Sequence, residues 1–436
     1  MKRLAVWLVL MSALLPIGSA QAAQGSYVVT NLGSLGGTSS FGASINDRGW
    51  IAGSSNLAGD QVQHATLWRG GVLSDLGTLG GPDSGVLWPV KNDRGLISGI
   101  SQTAQADPLG ERWSCSAFFP AATAVGHQCL GFAWQNGVMR ALPTLGGTNG
   151  FATGANNRDE IVGWAENTVH DPTCVPPQVL QFRAVEWGPR GDVQELPPLP
   201  GDTVSAATAI NNRGQVVGIS GICDRAVGRF SAIHNVLWQD GQPVDLGSLG
   251  GVAWNTPMAI DDRGDVVGFA NSSAAAGGGF AAHAFLWTKA AGIQDLGTLP
   301  GDSTSQALGV SDRGEIVGTS CDADFNCRAV IWRNGEISDL NQEVADGYAG
   351  TLIAANDIDS SGRITGQAFD PMSGSLVAFR PALARPRRSG AQAAPLLRLS
   401  QGQRTFRSAL QTSRPGPPSA RSLPLLPISV SLPPAP

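Results

Sequence analysis

A repeat of about 50 residues constrains the fold of this chain more than any other feature. It is clearest from Asp245 to Leu296, which reads DLGSLGGVAWNTPMAIDDRGDVVGFA and, after a loop, HAFLWTKAAGIQDL. The Asp-Leu-Gly that ends one copy starts the next. Seven copies can be registered on the residue that opens their central turn: Asn46, Asn92, Asn156, Asn211, Asp261, Ser311 and Asp359. Such a period is typical of proteins that build one supersecondary unit per copy.

Each copy has the pattern of four short antiparallel strands. Two apolar runs flank Asp261-Asp262-Arg263-Gly264, where Asp at the start and Gly at the end suit a tight turn with type I geometry. The runs His283–Trp287 and Gly292–Gly297 follow, and all four runs are too short for helices. Seven copies predict an all-β fold, a seven-bladed β-propeller of four-stranded antiparallel blades over residues 23–380.

The two ends of the repeat array are complementary. Residues Tyr27–Gly33 match the fourth strand of a copy, as in Val72–Gly77, but no other strands precede them. The seventh copy has its first three strands, through Leu376–Arg380, and lacks the fourth. We therefore predict that the amino-terminal strand completes the last blade and removes the open sheet edges.

The segments outside the repeats have different compositions. Lys2 and Arg3 precede an apolar run, Leu4–Ile17, and an Ala20-Gln21-Ala22 site, which predicts a cleaved secretory signal over residues 1–22. The alternative, a membrane anchor, would need about 20 apolar residues. Residues 381–436 are rich in Pro, Ser and Arg without strand or helix period, and we expect a disordered tail that is either merely soluble or binds an acidic surface.

The charge distribution disfavours nucleic acid as a partner. Lys2, Arg3 and eight tail arginines account for ten of the 29 basic residues, which leaves 19 in the repeat region against 34 acidic residues. A repeat region with a net negative charge lacks the positively charged surface that binding to a phosphate backbone requires. No segment beyond the signal resembles a transmembrane span.

A Trp recurs at the end of the third strand in six of the seven copies, and Arg380 replaces it in the last. A ligand site seldom needs six equivalents, so these residues are predicted to pack between blades. They are Trp68, Trp134, Trp187, Trp238, Trp287 and Trp332.

Six cysteines lie in the loops between second and third strands: Cys115, Cys129, Cys174, Cys223, Cys321 and Cys327. An even number in an exported chain predicts disulfides. Two local bridges, Cys115 with Cys129 and Cys321 with Cys327, are natural, and Cys174 can join Cys223 across neighbouring blades. Zinc is the alternative, but no pair has C-x2-C spacing or a nearby His cluster.

The Asn- and Asp-rich turns have calcium binding as an alternative interpretation. Calcium needs six or more oxygens, whereas each turn offers one or two carboxylates, so hairpin turns are favoured and neither a metal nor a cofactor is expected. One turn, Asn156-Asn157-Arg158-Asp159, has Asp where the others have Gly, which predicts a locally altered turn.

The loops between the second and third strands vary most, and loops on a rigid scaffold commonly carry binding sites. The second copy has the longest, Ser101–Leu130. Aromatic residues here could stack on a sugar or pack on a protein, or else cover a small core of the insert itself. The candidate ligand-binding residues are Trp113, Phe118, Phe119 and His127 in this loop and Trp164 and His170 in the third copy.

With His283-Ala284-Phe285 ahead of Asp295-Leu296-Gly297, the chain resembles the bacterial extracellular HAF-repeat family. The resemblance covers residues 27–380 and implies an exported repeat protein, extracellular or periplasmic. The family has no established catalytic residues that could be assigned to positions of this chain.

Two classes of function follow from these patterns. The first is a non-enzymatic binding or scaffolding protein that engages a glycan or a protein through the loop face. The second is a hydrolase or lyase that acts on an extracellular polysaccharide in the central channel, which needs a convergent set of His and acidic groups. Only His127 and His170 lie in inserts, with Glu111, Asp171 and Asp224 as companions. No motif unites them, so binding is favoured and no catalytic residue is assigned.

Overall fold

A computed structural model of the protein describes residues 27–111, 117–224, 228–273 and 279–383. The described residues form an all-β protein of 28 strands, as the repeat predicts. The predicted signal, residues 1–22, lies outside the described residues, as does most of the predicted tail, residues 384–436. Residues 381–383, predicted to begin that tail, instead end a strand that pairs with the amino-terminal strand. No helix in the described part of the chain is both long enough and apolar enough to cross a membrane.

Five sheets contain four antiparallel strands each, in chain order. The first of these sheets consists of β6 (Gly80–Gly85), β7 (Ile97–Ala106), β8 (His127–Gln135) and β9 (Val138–Ala141). The second consists of β10 (Gly150–Ala155), β11 (Ile161–His170), β12 (Leu180–Trp187) and β13 (Val193–Leu196). The third consists of β14 (Val204–Ile210), β15 (Val216–Gly221), β16 (His234–Gln239) and β17 (Gln242–Asp245). The other two are β18 (Thr256–Ile260), β19 (Val266–Asn271), β20 (Ala282–Thr288) and β21 (Gly292–Gly297); and β22 (Thr304–Val310), β23 (Ile316–Cys321), β24 (Cys327–Arg333) and β25 (Glu336–Asp339). Short 3-10 turns span Phe230–Ala232 and Leu340–Glu343.

The remaining eight strands form one mixed sheet. They are β26 (Thr351–Ile358), β27 (Ile364–Asp370), β28 (Ser375–Leu383), β1 (Tyr27–Asn31), β2 (Gly36–Ile45), β3 (Ile51–Leu57), β4 (Gln63–Arg69) and β5 (Val72–Asp75). The predicted pairing of the amino-terminal strand with the last copy is present, because β1 lies antiparallel to β28 with Val28 opposite Ala382. The predicted separate four-stranded blade is not, since Ser39 of β2 also pairs in parallel with Leu376 of β28. Ser40 draws these strands together by accepting a hydrogen bond from the backbone N–H of Ala378 at 3.0 Å.

A glycine in each second strand allows close contact with the first strand. The first strands of most copies carry a β-bulge, for example between Ala207 and Ala209 of β14, and Gly218 of β15 lies opposite it. A Cβ on Gly218 would overlap the carbonyl oxygen of Ala206. The bulged residue Thr208 donates its hydroxyl to Val217 O at 3.1 Å. The Gly of the repeated Val-Val-Gly pattern is thus needed because the backbone of the bulge leaves no space for a Cβ.

The turns between the first and second strands contact one another in sequence, and we call this end of the sheets the turn face. In each bond the second residue of a turn donates its backbone N–H to the side chain of the equivalent residue in the next turn. Six such bonds join Asp47 to Asp93, Asp93 to Asn157, Asn157 to Asn212, Asn212 to Asp262, Asp262 to Asp312, and Ser360 back to Asp47. The sheets therefore follow one another around a common axis, as in a β-propeller.

The turn at Asn156 keeps the shape of the others, contrary to the predicted alteration. Asp159 has a φ of 61°, in the left-handed region that Gly49 and Gly214 occupy in their turns. Its backbone N–H donates to Asn156 O, and the N–H groups of Gly49 and Gly214 donate to the equivalent carbonyl oxygens of their own turns. Asp tolerates this conformation better than most residues. Its carboxylate also accepts a hydrogen bond from Asn92 Nδ2 at 3.0 Å.

The third-strand tryptophans pack between sheets, as predicted. Trp187, Trp238 and Trp332 are almost completely buried, and Trp68 is nearly so. Each of these four indoles donates its Nε1–H to a carbonyl of the preceding connection, as Trp238 does to Pro197 O at 2.7 Å. Trp134 and Trp287 are half-buried. The core accordingly lies between successive sheets, where these rings bury apolar area and satisfy a polar group together.

Candidate functional site

The turn face encloses a cavity of about 150 Å³ on the axis of the ring. Its lining is aliphatic where the first strands end, at residues such as Ile45 and Ile260, and polar where the turns meet, at residues such as Asp93 and Asp262. The acidic groups here already have structural partners. Asp262, for example, accepts hydrogen bonds from the N–H and the Nδ2 of Asn212, both at 2.9 Å. These carboxylates hold neighbouring turns together.

One lysine enters this cavity. Lys91 Nζ lies 2.5 Å from Asp357 Oδ1 and donates to Ile358 O at 2.7 Å. The Asp357 side chain is completely buried, and its other oxygen accepts the N–H of Ile45 at 2.8 Å. Burial raises the pKa of Asp357, and the ammonium group of Lys91 opposes that rise. The pair thus links three copies of the repeat, and each charge in it is satisfied.

The third-strand histidines have a structural role. His64 Nδ1 lies 2.9 Å from the Asp75 carboxylate, and His283 Nδ1 lies 2.9 Å from Asp295, in each case within one sheet. The hydrogen bond that His64 makes to the Asp75 carboxylate is the main cause of the raised pKa of His64. Arg183 takes the equivalent place in another sheet and pairs with Glu195 at 3.5 Å.

This arrangement explains two sequence signatures together. The first residue of the His-Ala-Phe motif and the Asp of Asp-Leu-Gly are partners across the third and fourth strands. The same Asp accepts the N–H of the following Gly, as Asp295 does from Gly297 at 2.7 Å. Sequence reasoning missed the pairing, although His64 with Asp75 and His283 with Asp295 recur at nearly the same separation.

Most of the aromatic candidates for ligand binding lie in the interior. Phe118 and Phe119 are each 6% exposed, and Trp164 is 5% exposed. Phe118 packs edge-on against Trp88 and Phe151, with ring centroids 5.7 Å and 5.2 Å apart. These rings form a closed cluster and do not offer a flat exposed surface for stacking.

The other candidates differ in position. His127 is half-buried, with Nδ1 3.0 Å from Thr103 O. His170 is exposed at the end of β11. Trp113 lies outside the described residues. Of the proposed catalytic companions, Glu111 is buried while Asp171 is held by Thr173, and the described residues contain no group of three His, Cys, Asp or Glu that could hold a metal ion.

The loops at the other end of the sheets, the loop face, are fastened to one another. Cys174 and Cys223 form a disulfide between the third and fourth copies, as predicted. Beside it, Val175 N donates to Asp224 O at 2.7 Å and Asp224 N donates to Thr173 O at 3.0 Å. Two successive loops are therefore held as one rigid unit.

Further contacts extend this unit to five successive copies. Thr123 Oγ1 donates to Gln61 O at 3.3 Å, which joins the second loop to the first. Glu111 Oε1 accepts the N–H groups of Val179 and Leu180, which joins the second loop to the third. Trp254 N donates to Arg229 O at 3.2 Å between the fourth and fifth copies. We call the described residues of the loops of the first four copies, together with the start of the fifth, the linked loop surface.

Three other cysteines of the described residues also form disulfides. Cys321 and Cys327 are bonded within one loop, as predicted. Cys129 is disulfide-bonded too, and its predicted partner Cys115 lies outside the described residues. The linked loop surface exposes aliphatic side chains, namely Leu109, Val125, Val169 and Val175.

Comparisons with known proteins give no family. No protein-family model matches the chain, and no curated protein matches it. Among solved structures, virginiamycin B lyase from Staphylococcus aureus is 10% identical, with a TM-score of 0.45, over 82% of this chain and 100% of that one. A puromycin hydrolase is 13% identical, with a TM-score of 0.42, over 74% of this chain and 48% of that one. AofleA from Arthrobotrys oligospora is 10% identical, with a TM-score of 0.34, over 74% and 91%. Such values carry neither fold nor function over to this chain.

Proposed function

We propose that this chain is an exported, non-enzymatic binding protein whose linked loop surface engages a protein partner. In this proposal the sheets form a seven-bladed propeller, with the amino-terminal strand as the outer strand of the last blade. The fastening of successive loops by the Cys174–Cys223 disulfide and the backbone bonds beside it carries the proposal. Rigid loops lose little conformational entropy on association, which favours binding.

The exposed side chains favour a protein over a glycan. Sugar rings are bound by flat aromatic faces, but Phe118, Phe119 and Trp164 are buried in the interior. The surface instead presents aliphatic groups, with Val169 48% and Val125 42% exposed. Aliphatic patches on an ordered scaffold are a common feature of protein interfaces.

The alternative, a hydrolase or lyase on an extracellular polysaccharide, has less support. A catalytic constellation needs groups that are free to act on a substrate. In the described part of the cavity, the Lys91–Asp357 pair and the turn carboxylates bond each other and the backbone.

Two further features accord with export and with the family resemblance. Disulfides persist in oxidising compartments outside the cytoplasm, and this chain has the Cys174–Cys223 and Cys321–Cys327 bridges. The His–Asp pairs give the repeat signatures one shared structural purpose, which supports membership in the bacterial extracellular HAF-repeat family.

Site-specific photo-crosslinking in the producing cells tests the proposal. p-Benzoylphenylalanine is placed at Val169 or Val125 on the linked loop surface, and at Val72 or Val244 on outer strands as matched exposed controls. We expect a discrete adduct with the same second polypeptide from both loop positions and none from the controls. A charged V169D substitution should weaken the adduct formed at Val125.

Other outcomes overturn the proposal in distinct ways. Adducts of equal yield at all four positions, or none on the loop face, contradict a protein-binding surface there. Retention of the purified protein on an immobilised polysaccharide panel without any polypeptide adduct assigns the site to glycans instead. Release of oligosaccharides from the same panel identifies an enzyme.

A further inference from the structure

Two buried carboxyl groups meet beneath the linked loop surface. Glu111, in the second loop, is 5% exposed, and Glu166, on β11 of the next sheet, is fully buried. Thr148 lies between them, with its Oγ1 3.0 Å from Glu166 Oε2 and 3.3 Å from Glu111 Oε2. The hydroxyl group thus bridges two acids from neighbouring copies.

The contacts of the Thr148 hydroxyl can accommodate one extra proton. A threonine hydroxyl has a single hydrogen to donate, and it can accept two hydrogen bonds. Asn149 Nδ2 already donates to Thr148 Oγ1 at 3.1 Å. If both acids were ionised, the hydroxyl could donate to only one of them and would face the other with a lone pair. A protonated Glu166 that donates to Thr148, while Thr148 donates to Glu111, gives the hydroxyl a donor or acceptor partner in each of its three contacts.

One oxygen of Glu111 is a hydrogen-bond acceptor for the third loop. Its Oε1 accepts the backbone N–H groups of Val179 at 2.8 Å and Leu180 at 2.6 Å, which fasten the second loop to the third. Glu166 accepts the N–H of Asn149 at 2.8 Å. Burial, followed by the neighbouring charge of Glu111, raises the pKa of Glu166 from 4.5 to about 7.

The charged groups around the pair do not neutralise it. Asp107 lies on the same loop as Glu111 and accepts from Asn149, while Asp171, in the third loop, is held by Thr173. On β12, Arg183 bonds Gln181 and pairs with Glu195. The histidines of the adjoining strands are His127, which contacts Thr103 O, and His170, which is exposed.

We propose that Glu111 and Glu166 share one proton through Thr148, and that loss of this proton above neutral pH weakens the attachment of the second loop to the third. The binding consequence rests on the function proposed above: partner binding is strong at mildly acidic pH and weaker at alkaline pH. The sign follows from linkage. An acid whose pKa is raised by folding stabilises the folded state at low pH, and that contribution is lost as pH rises from 4.5 to about 7.

Carboxyl NMR on the purified protein tests the shared proton. With ¹³Cδ-labelled glutamate, we expect one carboxyl group to titrate near pH 7 in the unmodified protein and in E336Q, an exposed control. The signal should be absent in E166Q, whose amide mimics the protonated acid. Titration of every glutamate below pH 5.5 overturns the proposal, and the unmodified protein alone decides this point if E166Q fails to fold.

Amide exchange tests the attachment. At pH 8.5, after correction for intrinsic rates, the amides of Val179 and Leu180 should exchange at least tenfold faster in the unmodified protein than in E166Q. At pH 5.5 the two proteins should be equal. Equal protection at both pH values contradicts the weakening, even if Glu166 titrates as expected.

The link to binding has its own readout. The yield of the crosslinked adduct at Val169 should fall at least threefold between pH 6 and pH 8.5 in the unmodified protein and stay constant in E166Q. A constant yield in both overturns the regulatory link. Absence of an adduct at any pH is instead a failure of the proposed function, and NMR and exchange still decide whether the proton is shared.

Discussion

The turn face and the loop face terminate the same strands, yet different kinds of contact stabilise them. On the turn face one bond recurs from copy to copy: a backbone N–H in one turn meets a side-chain oxygen in the next, as from Asn157 to Asn212 and from Asn212 to Asp262. On the loop face the contacts between successive copies are of several kinds. A disulfide joins Cys174 to Cys223, and a buried carboxylate, Glu111, joins the second loop to the third.

This difference shows which changes the fold can absorb. Asn211 donates its amide to Asp261 O at 2.9 Å, but Asp261 itself has no amide to donate onward. Its carboxylate pairs with Arg263 at 2.9 Å instead, and the turn keeps its shape. A ring of similar bonds therefore tolerates the alteration of one member. The loop face lacks such a repeated bond, so we expect it to depend more strongly on individual contacts such as the Cys174–Cys223 disulfide.

The largest effect should come from the disulfide that fastens the loop face. Replacement of Cys174 and Cys223 by Ser opens a link between residues 49 apart in sequence, whose loop-closure entropy corresponds to about 4 kcal/mol. The matched control is the Cys321–Cys327 bridge, with a separation of 6, for which the same relation gives about 2 kcal/mol. Urea unfolding of the two double variants measures both losses. Equal losses, or no loss on reduction, would contradict the special role of the inter-sheet bridge.

A smaller effect is expected on the turn face. In N211A the side chain loses its bonds to Asp261 O and Gln215 Oε1 and no longer accepts the N–H of Arg213, which should cost about 2 kcal/mol. N211D keeps the acceptor and creates the arrangement found at Asp261, so about 1 kcal/mol is expected. Thermal unfolding compares the two. If N211D proves as costly as N211A, the ring is less tolerant than the comparison of the two faces implies.

Much of the fold could be predicted because its determinants are local and repeated. The turn residues, the strand lengths and the buried tryptophans such as Trp238 each recur at one position of the repeat, and recurrence separates a structural role from a chance pattern. The merger of the two end sheets could not be predicted. It depends on Ser39 meeting Leu376, a contact set by how the closing ring brings distant parts of the chain together.

The site was harder to predict, for a different physical reason. Whether Phe118 faces solvent or Trp88 depends on the path of an irregular loop, and no periodicity encodes that path. The Glu111–Thr148–Glu166 bridge likewise unites three segments that no motif connects. By contrast, the His64–Asp75 pair could have been predicted from the sequence, since both residues recur together in another copy as His283 and Asp295.

The smallest effect on stability is expected from the third-strand tryptophans. These residues lie between the turn face and the loop face and belong to the core that both faces share. Trp238 is 1% exposed and donates its Nε1–H to Pro197 O at 2.7 Å, so W238F leaves a buried carbonyl without this donor and should cost about 1 kcal/mol beyond the loss of packing. Trp287 occupies the same position in the next copy but is only half-buried. W287F removes less buried surface and should cost less. Urea unfolding of both variants decides the point. A larger loss for W287F than for W238F would contradict this ranking, because neither burial nor the hydrogen bond to the preceding connection would then account for the contribution of these rings.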